Sequence, residues 1–306
     1  MVQVGITAQD EDFDGFGSES HNFDFLYCMQ ANWIRNQDGS IYHLALHQEQ
    51  LAEIIITVGD PERVEKVSRY FDSIEHRSAN REFVCHTGTL QSKRLSVLST
   101  GIGTDNIDIV MNEVDALYNV DLATGLEKAK KTVLHWIRLG TSGAIQEEIP
   151  LDSFLLTDSS VGIESLAEFY LHQNEKIEFI NGKQYPVFRA SAGLLSHFSK
   201  HPNAILGNTI TAPGFYAPQG RMTRLTPAIP NLLHEFSQWK CPTGKWTNLE
   251  METSGIYGMS SLMGHQHLSI SAIVANRISN RFSSTAEATI DGLIQYALQK
   301  IVTLEE

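Results

Sequence analysis

The chain has 306 residues, of which 42% are apolar and 19% are charged, a balance typical of a globular protein rather than a disordered one. Its 36 acidic residues outnumber its 23 basic residues, which gives a formal net charge of −13. A charge of this sign repels nucleic acid and anionic membranes, so we expect neither as a partner. A local arginine cluster can still bind a small anion.

The cysteines and the apolar stretches indicate a reduced, cytoplasmic protein. Cys28, Cys85 and Cys241 are odd in number and far apart, so they predict neither a disulfide framework nor a metal site. The start of the chain shows no basic stretch followed by an apolar run, and no apolar run is long enough to span a bilayer. We therefore expect neither a secretory signal nor a membrane span.

Residues 1–40 differ in composition from the rest of the chain. The stretch 10–24 mixes acidic, glycine, serine and phenylalanine residues without a helical or strand period, which predicts a poorly ordered extension. Met29 offers a later start, so this segment is either native or a product of start-codon choice. Residues 41–306 show no internal repeat and no Pro/Gly-rich linker beyond position 50, which favours a single domain.

Regular hydrophobic patterns begin near residue 51 and alternate between strands and helices. Asp60 and Pro61 predict the start of one helix, and Thr104 or Asp105 predicts the cap of a second. The apolar face over residues 290–301 predicts a final helix. Apolar runs predict strands over residues 54–58, 83–90, 95–100, 133–139, 153–156, 204–211 and 268–275. This alternation predicts an α/β fold with helices on both sides of a sheet.

Two arginines lie near the ends of predicted strands. Arg63 follows Gly59 at a helix start, which fits either a capped helix with a surface arginine or an anion site made of exposed N–H groups. Arg138 lies inside an apolar strand, where a buried arginine is costly unless it meets an anion or a carboxylate. Residues 140–143, which include Thr141, are predicted to close this strand, and their glycines allow close approach of a ligand.

Two later segments combine side chains that suit a sugar and a base. Glu250 and Glu252 share a face only if the backbone between them is extended, and with Met251 they suit a polyhydroxyl ring. The alternative is a charged surface turn. Residues 215–221 combine an aromatic ring, an amide and a guanidinium, which can recognise the edge of a planar base. An ordinary loop is the alternative for this segment.

Other motifs carry weaker signals. His265 and His267 lack an evident third ligand, so we interpret them as a surface pair rather than a metal site. Residues 101–103, Gly-Ile-Gly, are too short for a dinucleotide fingerprint, and no phosphate-binding lysine follows them. The chain also lacks the G-x-S-x-G segment of a serine hydrolase. We therefore predict no metal ion.

Seven segments between His43 and the C-terminus together resemble, in order and spacing, the nucleoside phosphorylase family. They read I-I-I-T-V-G-D-P-E-R-V-E-K, N-R-E-F, S-T-G-I-G, I-R-L-G-T-S-G-A-I-Q, F-Y-A-P-Q-G-R, N-L-E-M-E-T and V-A-N-R. The resemblance implies a three-layer sandwich in which helices flank a mixed central sheet. It also implies a pentosyltransferase that splits a nucleoside, with inorganic phosphate as co-substrate and no cofactor.

The resemblance also implies roles for individual residues. The expected phosphate site comprises Gly59, Arg63, Arg138 and Thr141, together with Arg81 of a neighbouring subunit. The expected ribose site comprises Glu250, Met251 and Glu252, together with His43 of the neighbouring subunit. The expected base site comprises Phe215, Gln219 and Arg221. Of these, we expect Arg138, Arg221 and Glu252 to carry catalysis. Because two residues look lent across an interface, we expect a closed homo-oligomer built from dimers, a hexamer. A surface histidine without this role is the alternative for His43.

The end of the late strand indicates a pyrimidine nucleoside, with uridine as the expected substrate. The purine branch of the family usually places an aspartate here, whereas this chain has Asn276 followed by Arg277. A uracil anion leaves through its carbonyl oxygens and needs donors such as Arg221 rather than an acid. The alternatives are a purine nucleoside phosphorylase, a nucleoside hydrolase and a non-catalytic nucleoside-binding relative.

The turn after S-T-G-I-G departs from the family pattern. Family members can hold a monovalent cation near this turn and near the glutamate of N-R-E-F, here Glu82. The usual small residues and proline are replaced by Thr104, Asp105 and Asn106. The resemblance therefore leaves the presence of this cation open.

Overall fold

A computed structural model describes residues 33–305 of the chain. Most of the predicted N-terminal extension, residues 1–32, lies outside the described residues. Within residues 33–41, Arg35 and Ile41 form an isolated bridge around a turn in which Asp38 accepts hydrogen bonds from the amide and hydroxyl of Ser40. In the described part of the chain, no helix is long and apolar enough to cross a bilayer.

The structure contains a large mixed sheet, two small hairpins and six α-helices among the described residues. The strands are β1 Ile54–Val58, β2 Ser73–Asn80, β3 Phe83–Leu90, β4 Lys93–Ser99, β5 Val120–Asp121, β6 Leu126–Glu127, β7 His135–Ala144, β8 Phe154–Gly162, β9 Lys176–Glu178, β10 Gln184–Arg189, β11 Ala204–Thr211, β12 Lys240–Cys241, β13 Gly244–Lys245, β14 Asn248–Glu250, β15 Gln266–Asn276 and β16 Arg281–Phe282. The helices are α1 Pro61–Ser68, α2 Thr104–Asn119, α3 Ala192–Phe198, α4 Leu232–Gln238, α5 Thr253–Met263 and α6 Ala286–Val302.

The large sheet closes on itself at one end. Its strand order is β16-β15-β8-β11-β14-β7-β1-β4-β3-β2, and β15 also pairs with β7. Strands β15, β8, β11, β14 and β7 therefore form a ring, from which β1, β4, β3 and β2 extend as an open sheet. The pairing of β7 with β15 is parallel along ten residue pairs, whereas short β14 pairs antiparallel with the end of β7.

Helices cover both faces of the sheet, which confirms the predicted three-layer α/β architecture. Helices α1, α3 and α6 pack on the face that carries Ile56 and Ile137. Helices α2 and α5 pack on the opposite face, against Ile55 and Trp136. Adjacent strand residues thus enter different clusters, as the two-residue period of a strand requires.

Two local predictions were wrong. Residues 140–143 do not close a strand, because β7 continues through them to Ala144 and pairs with β15. Helix α2 is capped by Gly103 rather than by Thr104 or Asp105. Gly103 has a φ of 102°, which only glycine adopts easily, and its N–H donates to the Glu252 carboxylate at 2.9 Å. The cap is therefore fixed by a distant residue.

Candidate active site

A cavity of about 690 Å³ opens beside the ends of several central strands, a volume in the range of small-molecule sites. Its walls come from the β1–α1 turn, the β4–α2 turn, the second half of β7, the β14–α5 junction and the end of β15. Ligands in α/β folds commonly bind at such strand ends. The predicted residues that line the cavity are Gly59, Arg63, Glu82, Arg138, Thr141, Phe215, Gln219, Arg221, Glu250, Met251 and Glu252.

One corner of the cavity is formed by the start of α1. The Asp60 side chain accepts from the N–H of Glu62 and Pro61 occupies the first turn, as the sequence predicts. The guanidinium of Arg63 donates to the carbonyl of Leu139 at 3.3 Å, an uncharged acceptor. Burial lowers the pKa of Arg63, and the positive charge of nearby Arg138 adds to this effect. This corner therefore presents a partly desolvated cation.

Arg138 is buried between two glutamates. Its Nη2 lies 2.6 Å from Oε2 of Glu252 and 3.0 Å from Oε2 of Glu250. Burial alone disfavours the charge of Arg138, but the two carboxylates outweigh it and raise the pKa of the guanidinium. Burial, together with the charge of Glu250, raises the pKa of Glu252, while Arg138 opposes that rise. We name this set of three residues the ion triad.

Both carboxylates of the ion triad are fixed by further hydrogen bonds. Glu250 Oε1 accepts from the Thr211 hydroxyl at 2.5 Å, and its Oε2 accepts from the N–H groups of Glu252 and Thr253 at 2.9 Å each. The backbone is extended at Glu250, and α5 begins at Thr253, as the sequence predicts. The two acids can therefore share one guanidinium.

Gly140 makes room for Arg138 on the same face of β7. A Cβ at position 140 would lie 2.0 Å from Arg138 Nη1, closer than real atoms approach. Residues two apart in a strand point to the same side, so the arginine folds over position 140. This glycine is thus required by packing inside a strand rather than by a turn.

The base corner of the cavity combines Gln219 with Arg221, and it is contacted by Arg277, which does not line the cavity itself. Arg221 Nη1 donates to Gln219 Oε1 at 2.8 Å, and its guanidinium lies 3.7 Å from the centre of the Phe215 ring. Arg277 Nη1 donates to the backbone carbonyl of Gln219 at 3.2 Å. Burial, reinforced by the charge of Arg277, lowers the pKa of Arg221 to about 10. Arg277 ends the V-A-N-R segment, and no sequence pattern predicted this contact.

Asn276 holds backbone rather than facing the cavity. Its Nδ2 donates to the carbonyl of Gln146 at 2.9 Å, and its Oδ1 accepts from the N–H groups of Ile278 and Ser279 at 3.1 Å each. An amide has no acidic proton to give, and this one is already committed at both ends. The position expected to carry an acid in the purine branch therefore supplies none here.

His43 and Arg81 lie together outside the cavity walls. Both are far from the ion triad in sequence, and neither lines the cavity. Asn80 Nδ2 donates to the His43 carbonyl at 2.7 Å, and the Arg81 guanidinium lies 5.7 Å from the centre of the Tyr42 ring. The structure thus brings the two residues predicted to serve a neighbouring subunit to one place. Neither lines its own cavity, although Glu82, the residue after Arg81, does.

The predicted surface pair of histidines was placed wrongly. His265 and His267 are both buried, because they flank the start of β15 inside the fold. His265 Nε2 lies 3.1 Å from Asp115 Oδ1, and His267 Nε2 lies 2.8 Å from the carbonyl of Arg189. Among residues 33–305 no group of three or more His, Cys, Asp or Glu side chains is arranged to hold a metal ion.

Glu164, just after β8, is a partly buried acid that no sequence pattern predicted. Its Oε1 accepts from the Ser254 hydroxyl at 2.8 Å, and its Oε2 is buried without a hydrogen-bond partner among the described residues. Gly162 provides the space, since a Cβ there would lie 2.1 Å from this carboxylate. Burial, with the Glu250 charge as a lesser cause, raises the pKa of Glu164 to about 7.

Comparison with protein families decides the relationship of the chain. The family model described as the phosphorylase superfamily matches residues 53–300. The chain belongs to the phosphorylase superfamily. The match spans β1 through most of α6, and so includes every segment that lines the cavity.

Relatives within the superfamily come from both the pyrimidine and the purine branch. The chain is 28% identical to a uridine phosphorylase of Thermococcus kodakarensis, over 85% of this chain and 86% of the relative. It is 26% identical to a purine nucleoside phosphorylase of Alkaliphilus metalliredigens, over 84% of this chain and 97% of the relative. Among solved structures, it is similar to a Trypanosoma brucei nucleoside phosphorylase described as showing uridine phosphorylase activity. The TM-score is 0.81 and the identity is 26%, over 89% of this chain and 100% of the other chain.

The pKa of Glu164 predicts a pH-dependent loss of stability. Its pKa in the fold, about 7, lies above the ordinary value of 4.5, so the fold holds a proton that the unfolded chain releases. The stabilisation from this proton is complete below pH 4.5 and is lost as the pH rises to about 7. Glu164→Gln keeps an acceptor for Ser254 and removes the titration. As the pH rises from 4.5 to 8, the free energy of unfolding of the variant minus that of the parent should increase by on the order of 1–3 kcal/mol.

Urea unfolding of both proteins at several pH values measures this difference. Glu168→Gln is a suitable control, because Glu168 is a half-exposed neighbour that pairs with Lys183 at the surface. We expect the control to follow the parent within about 0.5 kcal/mol at every pH. A constant difference between Glu164→Gln and the parent across this range contradicts the prediction.

Proposed function

We propose that this protein is a uridine phosphorylase that converts uridine and inorganic phosphate into uracil and ribose 1-phosphate. The observation that carries the proposal is the base corner, where buried Gln219 is bound by Arg221. Uracil offers a ring N–H between two carbonyl oxygens, and an amide beside a guanidinium complements that edge. The relatives from T. kodakarensis and T. brucei, which are described by this activity, support the same proposal.

The proposed reaction needs no nucleophile from the protein. A phosphate oxygen attacks C1′ of the ribose while the bond from C1′ to the base nitrogen breaks, and the electron pair of that bond leaves with the base. Arg63, Thr141 and Arg138 bind the phosphate, and the carboxylates of the ion triad orient the ribose hydroxyls above Met251. Catalysis of this kind depends on positioning and electrostatics.

The leaving base is stabilised by Arg221 of the base corner. Negative charge spreads onto the uracil carbonyl oxygens as the bond breaks, and Arg221 lies where it can donate to one of them. Its present acceptors, the Gln219 amide and the Phe215 carbonyl, are uncharged. Replacing a neutral acceptor with a charged oxygen strengthens the hydrogen bond, so this donor favours the transition state over the bound nucleoside.

A purine nucleoside phosphorylase is the second candidate, because one of the relatives carries that name. Asn276 argues against it, since its amide is committed to backbone groups and supplies no proton to a purine. A nucleoside hydrolase would not need the cationic corner around Arg63. A non-catalytic binding relative would retain the cavity and is separated from an enzyme only by an activity assay.

We further propose a homo-oligomer built from dimers, a hexamer, with Arg81 and His43 completing the neighbour's site. Their position outside their own cavity supports this arrangement. We also propose that residues 41–306 form one catalytic domain in a cytoplasmic protein. The cavity draws on residues from Gly59 to Phe282, and the described cysteines Cys85 and Cys241 are free thiols.

A substrate assay tests the proposed function. The purified protein is incubated with uridine, cytidine, inosine or adenosine, with and without phosphate, and the free base and ribose 1-phosphate are quantified. We expect kcat/KM for uridine to exceed that for cytidine by up to about 10⁴, because cytosine leaves buried polar groups unpaired. Release of base without phosphate would indicate a hydrolase. Inosine or adenosine turned over as fast as uridine would indicate the purine branch.

Arg221→Ala tests the role of the base corner in leaving-group stabilisation. Removing one preorganised donor to a developing negative charge lowers kcat by roughly 10²–10³. Arg224→Ala removes an exposed arginine of the same loop that does not line the cavity, so it should leave kcat within twofold or so of the parent. Equal effects of the two substitutions on kcat would contradict the assignment of Arg221.

Mixed oligomers test the shared site. In a dimer of Arg81→Ala and Arg63→Ala subunits, one site keeps both arginines and the other loses both. After random 1:1 mixing, half of the dimers are mixed, so about a quarter of all sites should be intact. Activity well above that of either variant alone is the expected result. A mixture that only averages the two separate variants would show that Arg81 serves its own subunit.

A further inference from the structure

Glu113 is a buried acid whose hydrogen bonds all go to one short segment. It lies on the side of α2 that packs into the core, beside Val110 and Val114. One carboxylate oxygen accepts from the N–H of Leu44 at 2.9 Å, and both accept from the N–H of His43 at 3.0 Å. A buried carboxylate is costly unless it is well hydrogen-bonded, so the position of residues 43–44 and the burial of Glu113 depend on each other.

The same carboxylate also fixes the ring of His43. Glu113 Oε1 lies 2.5 Å from Nδ1 of His43. An ionised carboxylate only accepts hydrogen bonds, so Nδ1 carries the proton and Nε2 is the nitrogen left for an outside partner. The His43 side chain is 28% exposed, so part of the ring is accessible to an outside partner. Glu113 thus determines both the orientation and the tautomer of the ring.

Arg81 lies next to the same segment, because the residue before it binds His43. Asn80 Nδ2 holds the carbonyl of His43, and Arg81 follows at the β2–β3 turn with a left-handed φ of 54°. The Tyr42 ring contacts His43 edge-on at 4.8 Å and lies under the Arg81 guanidinium. We name Tyr42, His43, Asn80, Arg81 and Glu113 the donor cluster. It places one cation and one imidazole at a single exposed site.

We propose that Glu113 is a positioning residue for the neighbouring subunit's reaction, acting through His43 on the 5′-hydroxyl of the nucleoside. This inference rests on the proposed function and extends it by assigning the group that fixes the lent histidine. Without Glu113, the ring of His43 can rotate and exchange tautomers, and the backbone of residues 43–44 loses its anchor on α2. The donor cluster then presents Nε2 to the neighbour's ribose only part of the time.

The test compares uridine with 5′-deoxyuridine, which lacks only the hydroxyl in question. For the parent, we expect kcat/KM to fall by roughly 10- to 100-fold when this hydroxyl is removed, the effect of one hydrogen bond to a polar or charged group. His43→Ala should bring the ratio of the two substrates close to one. Glu113→Gln should lower the ratio at least severalfold, and the double variant should lower it no further than His43→Ala alone.

The substrate ratio separates positioning from general damage, because a merely destabilised protein loses activity with both substrates equally. Asp108→Asn is the matched control, since Asp108 is a carboxylate of the same helix that binds Tyr170 instead of His43. Its ratio should equal that of the parent. If Glu113→Gln fails to fold, Glu113→Asp, which keeps the charge but shortens the side chain and so withdraws the carboxylate from Nδ1 of His43, should lower the ratio in its place.

The outcomes distinguish this inference from the proposed function. A parent protein that does not release uracil from uridine and phosphate overturns the proposed function itself. An active parent whose substrate ratio is unchanged in Glu113→Gln, or in Glu113→Asp where the first variant does not fold, overturns only the role of Glu113. A parent without any preference for the 5′-hydroxyl overturns the assignment of His43 and with it this inference.

Discussion

The guanidinium of Arg138 lies between the carboxylates of Glu250 and Glu252, and this contact joins β7 to the junction of β14 and α5. Removing one member of such a buried ion group leaves an unpaired charge and costs on the order of 3–5 kcal/mol. The three side chains must therefore be kept together. Their surroundings serve that purpose: Gly140 provides space for the arginine, and Gly103 and Thr211 each donate to one of the acids.

The closed ring of strands brings the ion triad together. Strand β14 has three residues and pairs antiparallel with the end of β7, Asn248 opposite Ala144 and Leu249 opposite Gly143, so the chain runs from there back towards Arg138. Strand β15 pairs along the other side of β7 and places the hydroxyls of Ser269 and Ser271 within 3.4 Å of Arg138. Closure of the ring thus gives the arginine polar neighbours on two sides. In an open sheet, one side of β7 would lack these polar neighbours of Arg138.

Sequence patterns predicted the strands and helices that depend on short stretches of the chain, but not the contacts between distant residues. The predicted bounds of β1, β3 and β11 matched the structure to the residue. Strand β1 is a nearly continuous apolar run, and β3 and β11 combine apolar residues with threonines that favour strands. Strand β2 was missed, since this edge strand alternates polar residues with partly buried ones. The family-like segments predicted which residues line the cavity, but the sequence could not predict which side chains bind one another there. Arg138 and Glu252 are 114 positions apart, and Glu113 meets His43 only through the tertiary fold.

The charges around the phosphate corner argue for a site completed by a second subunit. The ion triad contains one positive and two negative groups, so a phosphate placed beside it meets a net negative neighbour when both acids are ionised. Opposed charges about 4 Å apart interact by several kcal/mol at an intermediate dielectric, and like charges repel as strongly. Within the same chain, Arg63 is the other cation of this corner, and one cation only balances that excess. A further arginine would attract a dianion, and Arg81 is an exposed residue of the donor cluster that does not line its own cavity. The charge balance thus supports the proposed oligomer, together with the position of Arg81 and His43 outside their own cavity.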